Sequence, residues 1–158
     1  MNSWRKKLAV LAAAALLSAP FSLLAQGRII YSDTADAHVD IAQALRTALQ
    51  QHKRVILDFG GNWCGDCQVL DIYLHQEPNL SLLEKNFAMV HVNIGHYDKN
   101  LDIVEKYGIP LKNGVPLLVV LDAHGRVLLV QKNKEFEKMR LVTPQTVNDF
   151  LNQWKPKR

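Results

Sequence analysis

Cysteine is nearly absent from this chain: 158 residues hold two, Cys64 and Cys67. A loop of two residues between them is a poor staple, because cross-linking near neighbours removes little entropy from the unfolded chain. Two sulfurs also leave a zinc site short of its usual four ligands. No Met-rich or His-rich run lies nearby to make up the number. An apolar run of the ~20 residues that a spanning helix needs is missing too. So is an excess of charge in the body of the chain. The formal charge is +4, but Arg5, Lys6 and Lys7 carry most of it, and beyond them 16 Lys and Arg face 15 Asp and Glu. That balance excludes a nucleic-acid footprint. Internal repeats, linkers and low-complexity tracts are lacking as well, so the chain reads as one domain with one core.

The first residues stand apart from the rest. Arg5-Lys6-Lys7 form a basic start, Leu8 to Ala19 a short apolar stretch, and Pro20 breaks it. Leu23-Leu24-Ala25 supplies a small residue for cleavage before Gln26. The expectation is a secretory signal peptide over residues 1–25 and a single domain over 26–158. The competing reading is an uncleaved membrane anchor. With no cysteine in this segment, lipidation at a lipobox is excluded.

What is present centres on Trp63-Cys64-Gly65-Asp66-Cys67. The apolar run Val55 to Phe59 predicts a buried strand that ends in a Gly-containing turn and delivers Cys-x-x-Cys to a helix start. Unpaired N–H groups and the partial positive charge there stabilise a thiolate. Cys64, at the helix start, is the expected nucleophile. Cys67, one turn on, resolves the mixed disulfide. Asp66 has two readings: a carboxylate beside the thiolate that raises its pKa and so makes a more reducing couple, or a side chain that points into solvent and only stabilises the helix start.

The remaining pattern predicts a short first strand over 27–31, a helix over 36–51 with Asp33, Thr34 and Asp36 as candidate caps, and a helix from Cys64 to His75. A short helix follows over 79–86, then a strand over 87–94, a helix over 98–107 and a loop over 110–114. A strand over 117–121, a turn over 122–125 with Gly125 at positive φ, and a partner strand over 126–131 come next. Residues 132–140 read as a loop or frayed helix, and Thr143-Pro144 opens a last helix. Strands that alternate with helices predict an α/β fold, a mixed central sheet with helices on both faces.

Three motifs carry a family resemblance. They are Leu57 through Cys67, then Lys106-Tyr107-Gly108-Ile109, then Gly114-Val115-Pro116 with Leu117 to Val120. Together they resemble the active-site strand and turn, the stretch before the cis-proline loop, and the cis-proline with its strand in the thioredoxin superfamily. The chain is most similar to periplasmic thioredoxin-like proteins. It departs from them in Gly65-Asp66 for the usual Gly-Pro, in Gly60-Gly61-Asn62 within the turn, in a longer loop at Pro110 to Asn113, and in His91 where a lysine is common.

The resemblance implies a thioredoxin fold and a periplasmic thiol:disulfide oxidoreductase, read here as a reductant. It needs no metal or organic cofactor. Its partners are protein thiols and disulfides together with a membrane or soluble redox partner, and it is expected to be a monomer. Asp58 accepts a proton from Cys67, a task suited to a carboxyl in an apolar strand. Removing it is expected to slow exchange while leaving the fold as stable or more so. His91 lies near Asp58. Trp63 shields the disulfide and contacts substrate. Pro116, in cis, sets the Val115 backbone against the disulfide to pair with a substrate strand. The rival reading is a metal carrier that uses the two thiolates.

Overall fold

The computed structural model describes residues 28–131, 136 and 138–157. The expected signal peptide and most of the 132–140 segment lie outside them. In chain order the elements are α1 (Ala37–Gln51), β1 (Arg54–Gly60), α2 (Gly65–Leu74), α3 (Asn79–Asn86), β2 (Phe87–Asn93), α4 (Leu101–Lys106), β3 (Leu117–Leu121), β4 (Val127–Val130) and α5 (Pro144–Trp154). Two 3-10 turns, Leu111–Asn113 and Met139–Leu141, complete them. Among the described residues no helix is long and apolar enough to cross a membrane.

The sheet has the order β2-β1-β3-β4. β1 runs parallel to β2, with Asp58 opposite His91, and antiparallel to β3, with Asp58 opposite Leu118. β3 and β4 close as an antiparallel pair around Gly125, whose φ is 80°. Alternation along the strands divides the core in two. Val55, Leu57 and Phe59 pack on one face with Ala37, Ile41, Ala44 and Ala48 of α1 and Ile103 of α4. Ile56, Leu118 and Val120 pack on the other with Leu70 and Leu74 of α2, Leu83 of α3 and Val147, Phe150 and Leu151 of α5. Each fully buried aliphatic side chain contributes roughly 1.5–3 kcal/mol. The mixed sheet with helices on both faces is therefore as expected.

Helix starts follow the expected caps in two cases. The Asp36 carboxylate accepts from the His38 and Val39 N–H groups at the start of α1. Thr143 and Thr146 cap each other reciprocally at the start of α5, with Pro144 as its first residue. Two expectations need correction. α4 begins at Leu101 rather than Asp98, because Gly95, Tyr97 and Asn100 all have positive φ, which a right-handed helix cannot accommodate. Asp98 instead closes the turn by accepting from the His96 N–H at 2.9 Å. The first strand is also missing: residues 28–31 form none. The Ile30 and Tyr31 N–H groups donate to Asn62 Oδ1 at 2.9 and 3.0 Å, and the Tyr31 carbonyl accepts from Asn62 Nδ2 at 2.7 Å. A side chain thus takes the backbone groups that a ladder would have used, and among the described residues the outer edge of β2 carries no further strand of the sheet.

Candidate active site

β1 ends at Gly60, and the turn that follows delivers Cys64 as the N-cap of α2. Its sulfur accepts from the Cys67 N–H at 3.1 Å, so a free donor of the helix start points at it. Cys64 and Cys67 are joined as a disulfide with their α-carbons 5.2 Å apart. Cys64 is 5% exposed and Cys67 1%, so the helix-start sulfur is the more accessible of the two. Cys64 Sγ also lies 3.5 Å from the Val115 carbonyl oxygen. The Val115-Pro116 peptide is cis, and both residues are buried.

Trp63 is 45% exposed beside this pair. Its indole N–H donates to the Gly95 carbonyl at 2.6 Å, and its ring stacks on His96 at 5.6 Å. Gly61 is required here, because a Cβ at that position would meet Trp63 Nε1 at 2.6 Å. Asp66, in the first turn of α2, does not point freely into water. Its Oδ1 accepts from the Met139 N–H at 3.1 Å.

Asp58, in the middle of β1, is buried, 2% exposed. Its Oδ2 accepts from the Tyr31 hydroxyl at 2.7 Å and pairs with His91 Nδ1 at 2.9 Å. Its Oδ1 is buried with no hydrogen-bond partner among the described residues. Burial, then the Asp58 charge and hydrogen bond, drive the Tyr31 phenol far above its ordinary pKa, so Tyr31 is a permanent donor. For His91 burial opposes the charged ring. The hydrogen bond and charge of Asp58 and the charge of Asp71 outweigh it and hold the pKa above the ordinary value.

Cys64, Cys67 and the Val115 carbonyl are thus brought together, with Trp63 and Pro116 next to them in the chain, while Asp58 is linked to Cys67 only through Tyr31. Tyr31, Asn62 and the buried Asp71 were not anticipated. Tyr31 was hidden by its assignment to a strand. A Cβ on Gly60 would collide with the Tyr31 hydroxyl and meet Cys67 Sγ at 2.9 Å. Gly60-Gly61-Asn62, an oddity in the sequence, therefore makes room for Tyr31, Cys67 and Trp63 and ties the 28–31 segment to the turn. Asp71 pairs with Arg28 at 3.0 Å and with His75 at 3.1 Å. Among the described residues no three His, Cys, Asp or Glu side chains are gathered as a metal site would require.

A family model described as thioredoxin-like matches residues 36–123. The solved structure of a disulphide isomerase from Xylella fastidiosa Temecula1 is 34% identical, with a TM-score of 0.76 over 80% of this chain and 96% of its own. A thioredoxin from Buchnera aphidicola subsp. Schizaphis graminum (strain Sg) is 26% identical over 108 residues, 68% of this chain and 85% of that one. A thioredoxin from Thermus thermophilus shares the fold alone, at 19% identity and a TM-score of 0.52 over 71% and 81% of the two chains.

Proposed function

The chain belongs to the thioredoxin-like family and is a thiol:disulfide oxidoreductase, and from that premise we propose that it is exported and reduces disulfides in protein partners. The observation that carries the assignment of roles is Cys64 Sγ accepting the Cys67 N–H at the head of α2. A donor aimed at sulfur favours the thiolate over the thiol.

In the dithiol form the Cys64 thiolate attacks one sulfur of a partner disulfide. That bond breaks, one partner sulfur leaves as a thiolate, and a mixed disulfide forms. Cys67 then gives its proton to Asp58 and attacks the Cys64 sulfur. The Cys64–Cys67 bond forms as the second partner sulfur leaves. Two electrons pass from the dithiol to the partner, and a membrane or soluble dithiol partner restores the reduced form. Trp63 and the backbone of Val115, set by Pro116, receive the partner chain beside Cys64. Three features support a reducing and exported protein. The Asp66 carboxylate lies within the first turn of α2, where like charge disfavours the thiolate. The Met139 N–H holds it in place. The basic and apolar start of the chain suits export to the periplasm.

Trapping tests the roles. Cys67→Ser protein is expected to accumulate mixed disulfides with disulfide-containing partners, and Cys64→Ser protein none. Trapping by Cys64→Ser alone would reverse the assignment.

A further inference from the structure

We propose that His91 is a relay that passes the proton of Cys67 from Asp58 out to a cavity along the edge of β2; the step rests on the exchange chemistry proposed above. Asp58 is well placed to receive a proton and badly placed to lose one. Its Oδ2 already takes two donors, from Tyr31 and His91, while its buried Oδ1 takes none and is the open position. The Tyr31 hydroxyl that donates to Asp58 and the Cys67 sulfur both border the space beside Gly60 that a Cβ would fill, so sulfur and carboxylate are linked through Tyr31. Without a way onward, a proton on Asp58 would return to Cys67.

His91 supplies the way onward. Its Nδ1 is on Asp58, and its side chain is 26% exposed. The ring lines a cavity of about 450 Å³ together with Ser32, Asp40, Gln43 and Thr47. Ser32 and Gln43 are exposed, so this cavity opens to the surface. Apolar side chains such as Ile30, Ala44 and Met89 make up the rest of its wall, and a space this size, open to solvent with polar groups on its wall, holds water. None of the residues of the 60–67 turn and neither Val115 nor Pro116 lines it. It is therefore separate from the place where a partner protein would sit. It lies along the edge of β2 that a first strand would have covered, since Ile30, Ser32 and Ala35 border it instead.

The protons balance. The step starts from the ion pair of Asp58 and His91. Cys67 gives one proton to Asp58, and the charge that held His91 protonated disappears. Burial, which opposes the imidazolium, then prevails, and the ring releases one proton to the cavity that it lines. The pair takes in one proton and lets out one. The other charges around His91 do not change in this step: Asp71 on α2 favours its charged form, Arg28 opposes it, and Asp40 of α1 borders the cavity.

The test follows the two steps of exchange separately in the full-length protein, by stopped flow at neutral pH. His91→Ala should slow resolution roughly tenfold or more, below the 10²–10⁴-fold of a direct acid–base group. Attack by Cys64, read in a Cys67→Ser background, serves as the reference. Added imidazole, small enough for the cavity, should restore the rate in proportion to its concentration. His91→Gln keeps a donor for Asp58 but cannot titrate, so it should share the loss; it also serves as the test if the Ala variant does not fold. A wild-type resolution rate in either variant, or a slow His91→Ala protein that imidazole does not speed, overturns the relay. A wild-type protein that performs no exchange at all would instead overturn the reading on which it rests.

Discussion

At the residue scale, the two acidic residues near the disulfide act in different ways. Asp66 is tethered by the Met139 N–H, and an asparagine can accept the same bond with its side-chain oxygen. Asp66→Asn is therefore expected to alter stability by less than about 1 kcal/mol while lowering the Cys64 pKa and making the couple more oxidising. Thiolate absorbance against pH and equilibration with glutathione measure both, and an unchanged titration removes the main support for a reducing role. Asp58 differs because it serves two donors. Viewed from its strand alone, loss of the carboxyl was expected to leave the fold as stable or more so. The Tyr31 and His91 contacts reverse that sign. Asp58→Ala strands a buried phenol O–H and should cost about 1–3 kcal/mol. Asp58→Asn keeps an acceptor, so its cost should be smaller, with resolution still slow. Urea denaturation and single-turnover exchange on both variants separate these outcomes.

At the element scale, the 28–31 segment is a strap whose backbone groups at Ile30 and Tyr31 are held by one side chain, Asn62. Asn62→Ala removes three hydrogen bonds to Ile30 and Tyr31, each worth about 0.5–1.5 kcal/mol net. It should destabilise the protein by roughly 1–3 kcal/mol, and the Ile30 and Tyr31 amides should exchange with solvent much faster. Unchanged protection there would mean that the segment is held by other contacts. This is also where the sequence was least legible. β3 and α3 could be bounded from apolar runs and turn residues alone, and the caps at Asp36 and Thr143 from their chemistry. Those signals are local. The strap was misread as a strand because Ile29, Ile30 and Tyr31 form an apolar run, while what decides its conformation is Asn62, 31 residues from Tyr31. The cysteines were legible from their spacing, and the cis Pro116 from the family resemblance of its motif. The Tyr31–Asp58–His91 cluster was only half visible, since Asp58 and His91 meet through strand register and Tyr31 joins them from outside the sheet.

At the scale of the whole molecule, the charge on His91 couples the site to global stability. Its folded pKa lies above the ordinary value of 6.5. Its contribution is therefore fully present below that value and is lost as pH rises through the folded pKa, because there the native state binds more protons than the unfolded one. Stability of the wild type should fall across that window relative to His91→Gln, as denaturation midpoints measured at a series of pH values would show. Parallel curves would mean that the ring is not charged in the folded protein. Under the export proposed above, the strap would bear on a different event, the maturation of the chain. Arg28 reaches from it to the buried Asp71, and its carbonyl accepts from Gln68 of α2. If the leader is cut after Ala25, only Gln26 and Gly27 precede that anchor. A peptidase that strayed a few bonds downstream would take Arg28 with it and loosen Tyr31 from Asp58. The fidelity of one proteolytic cut would then be written into the chemistry of the finished enzyme.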